Sequence, residues 1–389
     1  MNKILIFIAC FIMTVSVSAS ESWVATWATA TEAAAKADMP QKTTLSNSSI
    51  RQTVHVSIGG KTMRVKLSNQ HSSKPLEIKS VYIANPADGT DIDSSSAEYL
   101  EFCGSKSVAI NPGQIVWSDP INYELKPLQY LSITINYGAS VPEIACTTHR
   151  GSRTTSYIME GRESKPTENF KVDEQLEHWY SISAIDVEGS GLPCVAVIGN
   201  SITDGRGSTD NLHNRWTDFM AEALEGRVGV VNLGIGGNCV VTGGIGIPMS
   251  ERFENDVLSQ SGLTAVIIAG GINDIGGSKH SEKTSRQLIR AFTKFITECK
   301  ARGVKVYGAT ITPIGGTSHW SMFHEAARQT VNDWILNSGE FDGVIDFDKA
   351  IADPKEPTKM YPEYSYDALH PNPKGYSVMG KLAADTVRK

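Results

Sequence analysis

Ser201, Gly237, Asn273, Asp367 and His370 are the residues in this 389-residue chain whose types and positions suit acyl transfer. A serine hydroxyl is a weak nucleophile until a base takes its proton. That base is usually a histidine oriented and charge-balanced by a carboxylate. Ser201, His370 and Asp367 supply those three groups. The oxyanion that forms needs fixed donors, commonly backbone N–H groups and a side-chain amide. The N–H groups of Ser201 and Gly237 and the amide of Asn273 can provide them. Glycine at 237 lets the backbone approach a substrate with no Cβ in the way. Asp367 and His370 are three apart, so one turn can bring both to one side, and Asn372-Pro373 reads as a cap and first residue of a helix that fixes the loop.

These residues need a scaffold, and the pattern around them supplies one. Val195-Ala196-Val197-Ile198 is a continuous apolar run, as in a strand buried on both faces. A helical stretch comes next at 216–224. Strands are then expected at 228–231, 264–269, 305–309 and 343–345, with helices at 284–301, 325–336 and from Pro373 onward. Alternating strands and helices imply βαβ units and a parallel sheet. Ligands of such sheets bind beyond the carboxyl ends of the strands. Gly199-Asn200-Ser201, the glycine-rich stretch 232–238, Gly271-Ile272-Asn273-Asp274 and the loop 367–370 all fall at that edge.

Gly199-Asn200-Ser201-Ile202-Thr203-Asp204-Gly205 resembles the first block of the SGNH (GDSL-type) esterase family. Gly236-Gly237-Asn238 resembles the second block, Gly271-Ile272-Asn273-Asp274 the third, and Asp367-Ala368-Leu369-His370-Pro371 the fifth. All four occur in family order. Asn200 stands where the family usually has Asp, and Ile272 where it usually has Gly. The resemblance implies a three-layer αβα, flavodoxin-like domain, a Ser201–His370–Asp367 triad, and an oxyanion hole from Ser201, Gly237 and Asn273. Trp23-Val24-Ala25-Thr26-Trp27-Ala28 and Arg64-Val65-Lys66-Leu67-Ser68-Asn69 are similar to an exported branch in which a β-sandwich precedes the hydrolase domain. That branch implies ester hydrolysis, often deacetylation of polysaccharides.

The first half reads differently from the second. Residues 49–58 alternate roughly in and out, Gly59-Gly60 comes next, and 62–67 alternate again, which predicts a hairpin. Further short runs at 81–83, 107–110, 114–117 and 131–135 are punctuated by Asn, Gly, Pro and Asp. Many short strands without helices predict a β-sandwich or jelly roll. The expected organisation is a secretory signal at 1–19, the β-domain at 20–188 with a structural role, and the hydrolase domain at 189–389. The signal is read from Lys3, the apolar run 4–17 and Val17-Ser18-Ala19. The protein is therefore expected to be exported, to a periplasm or beyond the cell.

With 40% hydrophobic and 20% charged residues the composition is that of a globular protein. The net charge of −6, without a basic block, makes nucleic acid a poor partner. No metal or organic cofactor, and no stable membrane anchor, is expected. Among Cys103, Cys146, Cys194, Cys239 and Cys299 the odd count leaves a free thiol, with a Cys103–Cys146 bridge and buried free thiols both open. Gly60-Lys61-Thr62 is not a phosphate loop, because His55 stands at the required upstream glycine. The nucleophile block is not G-x-S-x-G, since Thr203 takes the last position. Asp210 and His213 have a metal-like spacing but read as a solvated loop. Asp204, His319 and Trp320 are expected substrate contacts, with Trp320 suited to stacking on a sugar. The favoured activity is O-acetylesterase on acetylated carbohydrate. The alternatives are a lipase or lysophospholipase-type acyl hydrolase and a non-catalytic carbohydrate-binding protein.

Overall fold

The computed structural model describes residues 23–189 and 191–388, so the expected signal at 1–19 lies outside the described residues. The first half is all β. One antiparallel sheet joins Trp23–Ala28, Ile182–Glu188, Gly60–Ser68 and Ile115–Trp117, with Ile121–Leu125 also on Gly60–Ser68. A second places Ser49–His55 between Ser156–Met159 and Tyr130–Tyr137, and continues to Leu76–Ala84. Val65, Leu67 and Ile185 of the first sheet and Val54, Ile133 and Ile135 of the second are fully buried in the core of this half. The first and last strands pair with each other, so the β-unit closes on itself before the chain moves on.

The expected hairpin at 49–67 is not formed. Ser49–His55 and Gly60–Ser68 belong to different sheets. Neither Gly59 nor Gly60 has a positive φ, which the tight two-residue hairpin turns require. Gly59 instead permits close passage: a Cβ there would lie 2.4 Å from the Leu125 carbonyl oxygen. Period-2 alternation marks each strand but does not say which partner it takes.

The second half is the expected α/β unit. Five parallel strands run in the order Gly229–Gly234, Cys194–Gly199, Leu263–Ala269, Lys305–Ala309, Gly343–Ile345. Numbered along this unit the order is 2-1-3-4-5, the doubly wound flavodoxin-like arrangement. All six residues of Cys194–Gly199 are buried, which explains the unbroken apolar run. Helices flank the sheet: Trp216–Ala223 packs with Pro373–Val387, and Ser281–Lys300 with Met322–Asn337. The strand order reverses between the first and third strands, where such folds open a crevice. The loops carrying Ser201 and Asn273 extend from those two strands.

The two halves are joined by polar contacts along the sheet edge. The Ser57 hydroxyl oxygen accepts the Val230 N–H, Thr29 bridges to Asn232, and Ala25 N–H donates to the Ser261 carbonyl. Among the described residues no helix is long and apolar enough to cross a membrane. Cys103, Cys146, Cys194, Cys239 and Cys299 are all free thiols, so the Cys103–Cys146 bridge is not formed.

Candidate active site

Ser201 opens a one-turn helix, Ser201–Asp204, directly after its strand. Asn200 is the cap, and its side-chain oxygen accepts the Ile202 N–H at 3.0 Å. The Asn200 amide oxygen thus serves as the helix cap. Gly205 ends the turn with φ +102°. The strand-to-helix turn holds the hydroxyl at the carboxyl edge of the sheet.

The Ser201 Oγ is 2.8 Å from His370 Nε2. On the other face of the ring, His370 Nδ1 lies 2.9 and 3.0 Å from the two carboxylate oxygens of Asp367. A carboxylate only accepts, so Nδ1 carries the proton and Nε2 presents its lone pair to the serine hydroxyl. Asp367 also accepts the N–H groups of His370 at 2.8 Å and Leu369 at 3.2 Å. The intervening Ala368 accommodates this tight loop with a left-handed backbone, φ +68°. Asn372 caps the next helix by accepting the Gly375 N–H. Burial lowers the pKa of His370 below its usual value, the Asp367 carboxylate only partly offsetting it, while Arg206 and His319 lower it further. Burial raises the Asp367 carboxyl, but hydrogen bonds and charge from His370 outweigh this and leave it below the usual range.

Gly237 and Asn273 face the same cleft as Ser201 and His370. Gly237 has φ +75°, a conformation that favours glycine. One N–H of the Asn273 amide donates to the Asn238 carbonyl at 2.9 Å, leaving the other available. The neighbouring Asp274 carboxylate accepts the N–H groups of Val240 and Val241 at 2.8 and 2.9 Å. The buried Arg252 bonds the carbonyls of Gly199 and Leu233 and the side chain of Asn238. Asp274 and Arg252 thus tie the glycine-rich loop to its neighbours. Neither role is legible from local spacing.

The cleft encloses about 430 Å³ and draws walls from both halves. Arg150, Gly151, Arg153, His178 and Asp38 come from the β-unit, and none was anticipated. The run His149-Arg150-Gly151-Ser152-Arg153 carried a signal, two arginines in a short polar segment. Of the three expected substrate contacts, His319 lines the cleft and Trp320 does not; it is exposed on the surface. Asp204 borders the cleft, but its carboxylate is buried and bonded to His149 Nε2 at 3.0 Å. Gly151 makes that approach possible, since a Cβ there would meet the Asp204 carboxylate.

Among the described residues one group of His, Cys, Asp or Glu side chains has three ligand atoms within 4.8 Å of one another: His55, His213 and Asp218. Asp210 is not part of it. Two of its members already have partners elsewhere: Asp218 pairs with Arg215, and His55 Nε2 donates to the Leu128 carbonyl. None of the three borders the Ser201 cleft. At that cleft, the groups present can remove a hydroxyl proton, attack a carbonyl and hold an oxyanion.

Residues 197–378 match the family model described as GDSL-like Lipase/Acylhydrolase family. No curated protein matches the chain. Among solved structures, a lipolytic protein of the G-D-S-L family from Desulfitobacterium hafniense is 20% identical, covering 49% of this chain and 98% of that one, with a TM-score of 0.39. A carbohydrate acetylesterase from Sinorhizobium meliloti is 15% identical, covering 50% and 98%, with a TM-score of 0.41. An acetyl xylan esterase from Geobacillus stearothermophilus is 20% identical, covering 50% and 93%, with a TM-score of 0.38.

Proposed function

We propose that the chain, whose residues 197–378 match the GDSL-like lipase/acylhydrolase family model, is a carboxylic ester hydrolase with Ser201, His370 and Asp367 as its catalytic triad. The observation that carries the proposal is the 2.8 Å approach of Ser201 Oγ to an imidazole nitrogen whose partner nitrogen is held by a carboxylate. His370 Nε2 takes the hydroxyl proton as Oγ bonds to the ester carbonyl carbon. The N–H groups of Ser201 and Gly237 and the Asn273 amide hold the oxyanion. Collapse breaks the bond to the alkoxy oxygen, and His370 gives its proton to the departing alcohol. Water, deprotonated by the same nitrogen, then attacks the acyl-enzyme and releases the acid and the free serine.

The substrate we favour is a short-chain, chiefly acetyl, ester of a carbohydrate. The cleft supports this reading: Ile245 and Leu369 are the large apolar side chains among its lining residues, and the rest are polar, charged or glycine. A long acyl chain needs an extended apolar wall. The enzyme is further proposed to be exported, with residues 1–19 removed. A fluorophosphonate probe tests the mechanism by labelling Ser201 in the native enzyme and not in His370→Ala. A nitrophenyl ester series from acetyl to octanoyl tests the acyl preference, with kcat/KM expected to fall as the chain lengthens. Preference for octanoyl would favour the lipase reading instead.

A further inference from the structure

The other arginines that border this cleft, and the buried arginines of the α/β unit, each have an acid for a partner. Arg150 is held by Glu32, Arg215 by Asp218, Arg252 by Asp256, and Arg206 stands 3.8 Å from Asp367. Arg153 differs. It lines the cleft with Ser201, His370, Gly237 and Asn273, yet its guanidinium makes no ion pair or hydrogen bond among the described residues. Its Nε is buried and unpartnered. A buried guanidinium N–H without an acceptor is unfavourable, and such groups in a folded protein call for an explanation.

The backbone at Arg153 points the same way. Its φ is +49°, in the left-handed region that a long side chain rarely adopts. Neighbouring contacts hold it there. The Arg153 carbonyl accepts the Asn211 N–H at 2.9 Å, and Asn211 accepts the Thr155 N–H at 2.7 Å. The Ser152 carbonyl accepts from Arg215, and the Ser152 hydroxyl donates to the Thr154 carbonyl. A strained backbone fixed from several sides and carrying an unpaired cation into a cleft is a preorganised arrangement. The acids lining the cleft form no ion pair with it: Asp204 is bonded to His149, and Asp38 accepts the Ala35 N–H.

We infer that Arg153 is a binding site for a carboxylate on the substrate, so that the enzyme acts on esters of acidic carbohydrate, glycans containing uronic acid. This rests on the Ser201 reading of the cleft and names its substrate class. A guanidinium presents parallel N–H donors that match a carboxylate in two-point contact. Arg206, exposed at the same cleft, adds positive potential. The β-unit therefore selects the substrate that the α/β unit cleaves.

The test measures acetate release by the full-length enzyme from three substrates: an acetylated galacturonate oligomer, the same oligomer with its carboxylates methyl-esterified, and a neutral acetylated xylo-oligomer. Wild type should favour the acidic oligomer. Arg153→Gln should reduce kcat/KM for it roughly 10- to 100-fold more than for the neutral oligomer, mostly through KM, with Arg153→Lys in between. Methyl esterification should abolish the difference between wild type and Arg153→Gln. In parallel, calorimetry of non-acetylated galacturonate oligomer with Ser201→Ala should show binding that Ser201→Ala/Arg153→Gln lacks. Equal losses on all three substrates, or binding indifferent to Arg153, would overturn the inference. Failure of the wild type on 4-nitrophenyl acetate is a different result, because it removes the esterase reading itself.

Discussion

His149 of the β-unit and Asp204, three residues beyond Ser201, are hydrogen-bonded at 3.0 Å, and both are almost wholly buried. The contact crosses from one half of the protein to the other and ends on the one-turn helix that carries Ser201. Burial alone would lower the pKa of His149, but the charge and hydrogen bond of Asp204 outweigh it and the pKa is raised. His149 Nδ1 meanwhile bonds the Ala30 carbonyl. Both ring nitrogens thus face acceptors, as an imidazolium requires.

His149→Ala should therefore destabilise the protein strongly, by about 3–5 kcal/mol, because it leaves the Asp204 carboxylate buried without a partner. The pH dependence has a defined sign. A histidine pKa raised on folding stabilises fully below the unfolded value of about 6.5 and loses that contribution as pH rises through the folded value. The gap in Tm between wild type and His149→Ala should be widest in mild acid and shrink toward alkaline pH. A gap that widened with pH would contradict a charged pair.

Hydrolysis should respond to pH through His370. Its lowered pKa places the acid limb of the kcat/KM profile below about pH 6.5, with activity rising as the ring loses its proton. Arg206 is one of the causes of the lowering. Arg206→Gln should move the limb to higher pH, measured with 4-nitrophenyl acetate. No displacement, or one toward lower pH, would show that Arg206 does not act on the ring.

Gly237→Ala should impair turnover more than folding. The added Cβ would lie 2.8 Å from Ile245 Cδ1, the end of an exposed and adaptable side chain, so the clash itself can relax. The left-handed φ cannot, and the loop must shift the N–H it presents. A kcat loss of roughly 10- to 100-fold is expected, less than complete removal of an oxyanion donor. Gly237→Ala/Ile245→Ala should recover only a small part. Full recovery would assign the defect to the clash and not to the N–H.

The chemistry-bearing loops were legible because each motif sits within a few residues of an apolar strand or a helix cap. Val195–Ile198 announces a buried strand, so the residues just after it must lie at the sheet edge. Asn372-Pro373 announces a helix start, so the loop before it is anchored. The features that stayed hidden depend on docking between distant segments. Arg153 lies 48 residues before Ser201, and nothing local shows that the β-unit turns it into the cleft. Asp204 read as a substrate contact because it stands near Ser201, yet His149 claims it. His319 and Trp320 are adjacent, and only packing decides that the imidazole faces the cleft and the indole faces solvent. The hairpin at 49–67 failed for the same reason: each strand's pattern is local, but its partner is not.

The most direct measurement is steady-state hydrolysis of 4-nitrophenyl acetate by purified, folded Ser201→Ala, His370→Ala and the double variant. Each single change should lower kcat by on the order of 10⁴-fold or more, and the double variant should lose little beyond either single one, because the two groups act as a unit. Near wild-type turnover in either single variant would contradict the account, as would losses that multiply in the double.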